Sequence, residues 1–430
     1  MEEDSDLIIN QKIEAAHSNR CIRNEQPLKF IRLAEILRNK KDVLGRLITA
    51  EMGKPIQQSI AEVEKCAWCC EFYAEHAESW LVNRVVQTDA AKSYVTYEPF
   101  GVWLAIMPWN YPFWQVIRCA VPAMLAGNNV LLKHASNVQM CADALAELFI
   151  EAGFASFQFQ VLHISSAKVE GVIERSEIKG ISLTGSVHAG KMAASIAAKN
   201  LKPHVLELGG SNAFIITEDA DIKKACAHLI LGRFQNNGQS CIAAKRLIVN
   251  VKVINEVKEI ISQKIKSLII GNPQESDVYI GPLADVKFAE ELESQVAKSV
   301  AEGAKIITGG IRENALFQPT LLDNVTSEMT CMKEELFGPV IPIVSYENFE
   351  DAIRISNNTD FGLGVSIFTE KVEKVLPFIE KFEEGAVFIN SIVKSDPRLP
   401  FGGVKQSGYG RELSKEGLLS FCNIKTVFVA

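Results

Sequence analysis

Residues 102–134 read VWLAIMPWNYPFWQVIRCAVPAMLAGNNVLLKH, two short apolar runs on either side of a helix-like stretch. VWLAIMP precedes WQVIRCAVPAMLA, and NVLLKH follows it. This spacing predicts a parallel βαβ unit, because parallel strands need a helix-length crossover. The segment is the most apolar in the chain, yet Asn110, Arg118 and three prolines interrupt it, so it does not read as a membrane span.

The alternation continues outward. VQMCADALAELFIEAG (138–153) has a helical pattern, and FQFQVLHI (157–164), IKGISLTG (178–185) and HVLELGG (204–210) are strand candidates. A second series begins near residue 213 with AFIIT, RLIVN, KIITGG, VIPIVSY, GVSIFT and AVFIN, separated by helices such as INEVKEIISQKIKSLII and VEKVLPFIEKF. The fold class expected is α/β, two doubly wound domains without a floppy tether. Residues 1–80 look helical, with FIRLAEILRNKKDVLGRLITAEMG ending on a glycine. NRVVQTDAAKSYVTYE (83–98) alternates like a strand pair, and KTVFVA (425–430) is a terminal strand with no partner nearby in sequence.

At 430 residues the chain is long enough for two or three domains. Its net charge of −7 argues against nucleic-acid binding, which needs a basic face. The opening MEEDSDLIIN lacks the basic-then-apolar order of a secretory signal. Ten cysteines in 430 residues are not a disulfide framework, so a reducing cytoplasm is expected. Cys66, Cys69 and Cys70 lie on a helix-like pattern without a second ligand pair, which reads as packing, and no metal is expected.

Four stretches could carry chemistry. In IMPWNYP (106–112), Asn110 follows a strand among prolines and aromatics, either a turn former or an amide that donates to an oxyanion. In ISLTGSVHAGKMAASIAAKN (181–200), a strand, a turn and an alanine-rich helix place Gly185 and Ser186 where a helix N-terminus can hold an anion. In VLELGGSN (205–212), Glu207 interrupts an apolar strand and is either buried against a partner or kept as a base. In FQNNGQSCIAAKR (234–246), Cys241 sits in a polar, glycine-containing loop, where a thiol is reachable. The seven histidines form no local signature of a cysteine hydrolase.

Taken in order, these pieces resemble the aldehyde dehydrogenase superfamily from about residue 7 to the end. PWN (108–110), LK (132–133), TGS (184–186), ELGG (207–210), GQSC (238–241), EELFGPV (334–340) and PFGGVKQSGYGRE (400–412) carry the resemblance. KHASNV (133–138) and FCNIKTV (421–427) look like its bacterial succinate-semialdehyde dehydrogenase branch. The resemblance implies a Rossmann-type cofactor domain (1–80 and 100–210), a catalytic domain (211–421) and a small β arm for oligomerisation (81–99 and 422–430). It implies oxidation of an aldehyde to an acid with NAD or NADP, with Cys241 as nucleophile, Glu207 as base and Asn110 as oxyanion donor. Trp109, Lys133, Ser136, Gly185, Ser186, Leu208, Glu335 and Phe337 match cofactor positions. Ser136 replaces a ribose-binding glutamate of many NAD-preferring relatives, which makes NADP plausible beside NAD.

For the substrate, Arg118, Gln235, Ser240, Ser395, Arg398 and Phe401 fall at pocket positions. Arg118 matches an arginine that binds the distal carboxylate of succinate semialdehyde, a reading preferred over an internal ion pair. The second family arginine is replaced by Gln235, with Ser395 or Arg398 expected to compensate. The expected substrate is a small aldehyde, succinate semialdehyde by this resemblance, and the expected assembly a homodimer or homotetramer. The alternatives are another aliphatic aldehyde, or a catalytically silent fold used for binding. A start that falls short of the family's first hairpin motivates the silent reading; the intact Cys241, Glu207 and Asn110 oppose it.

Overall fold

The computed structural model describes residues 3–430. Four helices open it: α1 (Asp6–Ser18), α2 (Gln26–Asn39), α3 (Lys41–Met52) and α4 (Ile56–Trp80). The helical run expected over 30–53 breaks at Lys40 and ends at Gly53, which adopts φ +75° and donates its N–H to Thr49 O at 3.0 Å. A Cβ at Gly53 would lie 2.5 Å from Pro282 O, so both the left-handed cap and the close approach require glycine. Cys66, Cys69 and Cys70 are buried on α4 together with Val63 and Tyr73, and α4 packs on α2, α3 and the next helix along the chain.

A short strand, β1 (Arg84–Val85), pairs antiparallel with β2 (Lys92–Pro99). The partner that KTVFVA lacked in sequence is β2: Cys422–Val429 runs antiparallel to it, from Lys92↔Val429 to Pro99↔Cys422.

The opening βαβ unit forms as expected, with β3 (Val102–Met107), α5 (Trp114–Leu125) and β4 (Asn129–His134). It continues through α6 (Gln139–Glu151), β5 (Phe159–Val161), α7 (Val169–Glu174), β6 (Ile178–Thr184), α8 (Val187–Lys199) and β7 (His204–Glu207). The sheet order is β7-β6-β3-β4-β5, all parallel, and Gly408–Tyr409 adds an antiparallel edge beside β7. A piece of the segment assigned by sequence to the second domain thus completes the first sheet.

The second sheet starts with β8 (Asn212–Ile216), α9 (Ile222–Phe234), β9 (Ala244–Asn250), α10 (Ile254–Lys266), α11 (Val286–Ala301) and β10 (Lys305–Thr308). Strands Thr320–Asp323, Val340–Tyr346, Val365–Phe368 and Val387–Ile389 complete it. β10 is its antiparallel edge, and the other pairings are parallel. VEKVLPFIEKF is less regular than its pattern predicts. Only Val372–Val375 is α-helical, and a tighter helix runs over Leu376–Lys381, since Pro377 has no N–H to continue an α-helical ladder.

The carboxyl ends of β3, β6 and β7 face the amino ends of β8 and β9, where Asn212 and Ala244 are paired. The Leu208–Ser211 link between β7 and β8 crosses that seam. Among the described residues no helix is long and apolar enough to cross a membrane.

Candidate active site

Cys241 lies just before β9, in a loop whose shape follows from its asparagines. Asn236 and Asn237 both take left-handed backbone, φ +56° and +55°, which asparagine tolerates better than most side chains. Their amides then fasten the loop. Asn236 Nδ2 donates to Asn110 O at 2.7 Å and Gln239 O at 3.0 Å, and Asn237 Nδ2 donates to Gly53 O at 3.0 Å and Pro282 O at 2.9 Å. Gly238 has φ +75°, and a Cβ there would lie 2.5 Å from the Gly338 carbonyl carbon.

Two buried cations from β9 and α9 complete the clamp. Lys245 Nζ donates to Gly210 O (2.6 Å), Ser240 O (2.7 Å) and Cys241 O (3.0 Å), and pairs with Glu335 at 2.8 Å. Arg233 donates to Val340 O at 2.6 Å and Leu336 O at 3.0 Å. Satisfied carbonyls and a fixed cation make a rigid seat for the thiol. Cys241 is half-buried, whereas the other nine cysteines are buried. Burial pushes its thiol up to about 11, while the charges of Lys245 and Arg118 pull the other way.

Asn110 is buried on the strand-to-helix link after β3. Its Nδ2 donates to Gln239 O at 3.1 Å, and its Oδ1 accepts from Gln115 Nε2 at 3.1 Å. His134 secures the same link. Its Nε2 lies 2.9 Å from Pro112 O, and its Nδ1 lies 2.9 Å from Ala135 N and 3.2 Å from Met107 O. Burial pushes His134 down to about 4.

Glu207, at the end of β7, is buried with neither carboxylate oxygen hydrogen-bonded among the described residues. It lines neither of the two cavities described next. Its Oε1 lies against Gly402, where a Cβ would come within 2.8 Å. Burial holds its carboxyl well above the usual carboxylate range.

Two cavities meet at Cys241, and Gln115 also borders both. The first, about 220 Å³, is lined by Trp109, Gly185, Ser186, Leu208, Glu335 and Phe337, six residues assigned by sequence to the cofactor. Phe288, unmarked in the sequence, stacks on Trp109 with centroids 4.7 Å apart. Ser186 caps α8 by accepting from Ala189 N, which sets the helix's first turn beside the cavity. Lys133 and Ser136 do not line this space. Lys133 is half-buried near the end of β4, level with Ile106 on β3, and Ser136 is exposed in the turn that follows. Both bonds that the Glu335 carboxylate accepts, from Lys245 and from Gly210 N (3.0 Å), go to Oε1.

The second cavity, about 250 Å³, is lined by Arg118, Gln235, Ser240, Ser395 and Phe401 among others. Cys241 is thus reachable from two separate cavities. The aldehyde dehydrogenase family profile matches residues 23–427. The chain belongs to the aldehyde dehydrogenase family.

Among relatives, a probable succinate-semialdehyde dehydrogenase [NADP(+)] of Synechocystis is 45% identical over 99% of this chain and 96% of its own length. The succinate semialdehyde dehydrogenase [NAD(P)+] of Escherichia coli is 42% identical over 92% and 86%. The crystal structure of succinic semialdehyde dehydrogenase from Streptococcus pyogenes, in complex with NADP+, superposes with TM-score 0.97 at 34% identity, covering 100% of this chain and 96% of that one.

Two substrate-side expectations for this aldehyde dehydrogenase need correcting. Arg118 does not await an anion: its Nε is ion-paired with Glu412, and its Nη2 donates to Thr184 Oγ1 at 3.3 Å. Glu412 is buried in the PFGGVKQSGYGRE segment, and a desolvated carboxylate demands such a cation. The internal pair, the less favoured reading of the sequence, is the one that forms. Arg398, unlike Arg118, does not line the cavity. It is exposed and paired with Asp396 at 2.7 Å, two residues away in its own loop. Phe401 is buried with its ring 4.8 Å from the Arg118 guanidinium, and Ser395 is buried on the cavity wall.

Sequence reasoning missed Gln115, Phe288, His134 and Lys245. Lys245 and Arg246 left one clue, two charges inside an otherwise apolar strand.

Proposed function

We propose that this enzyme oxidises succinate semialdehyde to succinate, with NADP or NAD as hydride acceptor, through a covalent intermediate on Cys241. The observation that carries this reading is the position of Cys241 where the two cavities join. The names of the relatives at 42–45% identity support the substrate and the cofactor.

The residues around the first cavity fit a nicotinamide dinucleotide. Gly185 and Ser186 open the 13-residue helix α8, whose first-turn N–H groups suit a pyrophosphate. Burial pushes the Lys133 ammonium down, and Ser136 stands where many NAD-preferring relatives carry a ribose-binding glutamate, which leaves room for NADP beside NAD. The bound dinucleotide supplies the hydride acceptor.

The chain's own groups do the rest. Cys241 Sγ adds to the aldehyde carbon, and the resulting oxyanion is held by Asn110 Nδ2 and the Cys241 N–H. Gln115, by occupying Asn110 Oδ1, keeps the amide's donor end toward the loop. After oxidation to the thioester, Glu207 takes a proton from the attacking water. Its raised pKa makes it a strong base once ionised.

We assign residues 1–80 and 100–210 to cofactor binding, 211–421 to catalysis, and 81–99 with 422–430 to an oligomerisation arm. The exposed Ile424, Phe428 and Val429 on the terminal strand fit a homodimer or homotetramer, and the cysteine content fits the cytoplasm. A second reading, an aldehyde without a distal carboxylate, is favoured by the pairing of Arg118 with Glu412. Turnover of succinate semialdehyde and butanal with each cofactor separates the two. Higher kcat/KM for succinate semialdehyde supports the first; equal or reversed values support the second.

A further inference from the structure

The second cavity contains a cation that neither the sequence motifs nor the mechanism uses. Lys65, on α4, lines it together with Cys241, Gln235 and Ser395. Its ammonium donates to Ser395 Oγ at 2.7 Å and lies 4.1 Å from the Trp114 ring centroid. Among the described residues it forms no ion pair.

The other charges bordering this cavity are accounted for. Arg118 is neutralised by Glu412. Glu62 is ion-paired with Lys54, and its Oε1 accepts from the N–H groups of Phe113 and Trp114, both at 2.9 Å. Lys394 is exposed at the rim. The uncompensated interior charge is therefore that of Lys65.

Ser395 extends the same chemistry. Its oxygen accepts from Lys65 Nζ and from Trp114 Nε1 at 3.1 Å, which uses both lone pairs and leaves its O–H to donate. An ammonium with unspent N–H bonds beside a hydroxyl that must donate is a donor-only site, complementary to a carboxylate.

We propose that Lys65, with Ser395 beside it, binds the distal carboxylate of the substrate and sets the preference for a carboxylate-bearing aldehyde over a neutral one. The inference rests on the succinate semialdehyde reading, and replaces the arginine pair of the family by a lysine from α4 in a chain with Gln235. Lys65 thereby contributes to affinity rather than to the chemical step.

Burial, with the Arg118 charge second, pushes Lys65 down to about 8, as expected of a cation without an acid partner. The groups facing it are Arg118 on α5, the Ser395 loop, and Glu62, Cys66 and Cys69 on its own helix.

The test compares wild type with Lys65→Met, Lys65→Gln and Lys65→Arg, using succinate semialdehyde and butanal. The expected result is a KM for succinate semialdehyde raised about 30-fold or more in the Met and Gln variants, on the scale of one lost charged hydrogen bond. Their kcat and their activity toward butanal should stay within about twofold of wild type, and Lys65→Arg should recover most of the affinity. In wild type, which needs no variant to fold, KM for succinate semialdehyde should climb above about pH 8 while that for butanal does not. The proposal is overturned if Met and Gln variants that oxidise butanal keep the wild-type preference, or if wild-type KM values for both aldehydes share one pH profile. A wild-type enzyme with no preference for succinate semialdehyde overturns instead the function on which the proposal rests.

Discussion

Gln115 Nε2 donates to Asn110 Oδ1 at 3.1 Å, and this bond decides which end of the Asn110 amide faces the Cys241 loop. An amide turned end for end would present an acceptor to a developing oxyanion and repel it. Gln115→Met therefore lowers kcat about tenfold with KM nearly unchanged, whereas Asn110→Ala lowers kcat by about 10²–10³. Steady-state kinetics on both variants check this; a Gln115→Met enzyme changed only in KM would contradict it.

The Arg118–Glu412 pair predicts an asymmetry in stability. Removing one partner strands a buried charge, so Arg118→Met and Glu412→Gln should each cost about 3–5 kcal/mol. The double variant Arg118→Met/Glu412→Gln removes both charges and should be less destabilised than either single variant. Urea unfolding of the three proteins measures the coupling. Additive losses would show that the pair is not an energetic unit.

His134 makes stability depend on acid. It is neutral in the folded protein, pushed down to about 4, and regains an ordinary value near 6.5 when unfolded. Between those values the unfolded chain binds the extra proton, so stability is complete above about pH 6.5 and falls as pH drops toward 4. His134→Gln should flatten this part of the pH–stability curve, measured by unfolding midpoints from pH 7 to 4.5. An unchanged slope would remove His134 from the cause.

Much of this was legible in the sequence, and the reasons differ by element. Period and spacing along 102–134 were enough for the first βαβ unit, because both apolar runs are strands buried on two faces. Cys241, Asn110 and Glu207 drew notice because each sits in a short motif beside a strand, but the local residues left a turn former and a buried carboxylate open, and only the family resemblance gave them roles. Arg118 misled because its partner, Glu412, lies almost 300 residues on, and motif spacing says nothing about which charges pair. Lys65 was invisible for a related reason. On α4 it reads as a polar position of an amphipathic helix, and it borders a cavity only because Ser395, 330 residues later, closes against it. Gln115 carries no motif in the sequence, and only the turn after β3 brings its amide to Asn110 Oδ1.

The thiol's environment makes a prediction independent of substrate. With the cofactor absent, the Cys241 thiol stands at about 11, so its alkylation by iodoacetamide should accelerate about tenfold per pH unit between 7 and 9. Cys241 should still outpace the other nine, which are buried. Peptide mapping after timed labelling checks both statements. A rate that plateaus below pH 8 would show a thiolate already formed in the free enzyme.

In the proposed reaction Cys241 carries the substrate as a thioester that Glu207 helps to hydrolyse. Glu207→Gln should still form that thioester but release it slowly. Mass spectrometry of this variant, quenched after mixing with NADP and succinate semialdehyde, measures the claim directly. One succinyl group should accumulate on the peptide that contains Cys241 together with a burst of reduced cofactor; no adduct, or an adduct on another cysteine, would rule this mechanism out.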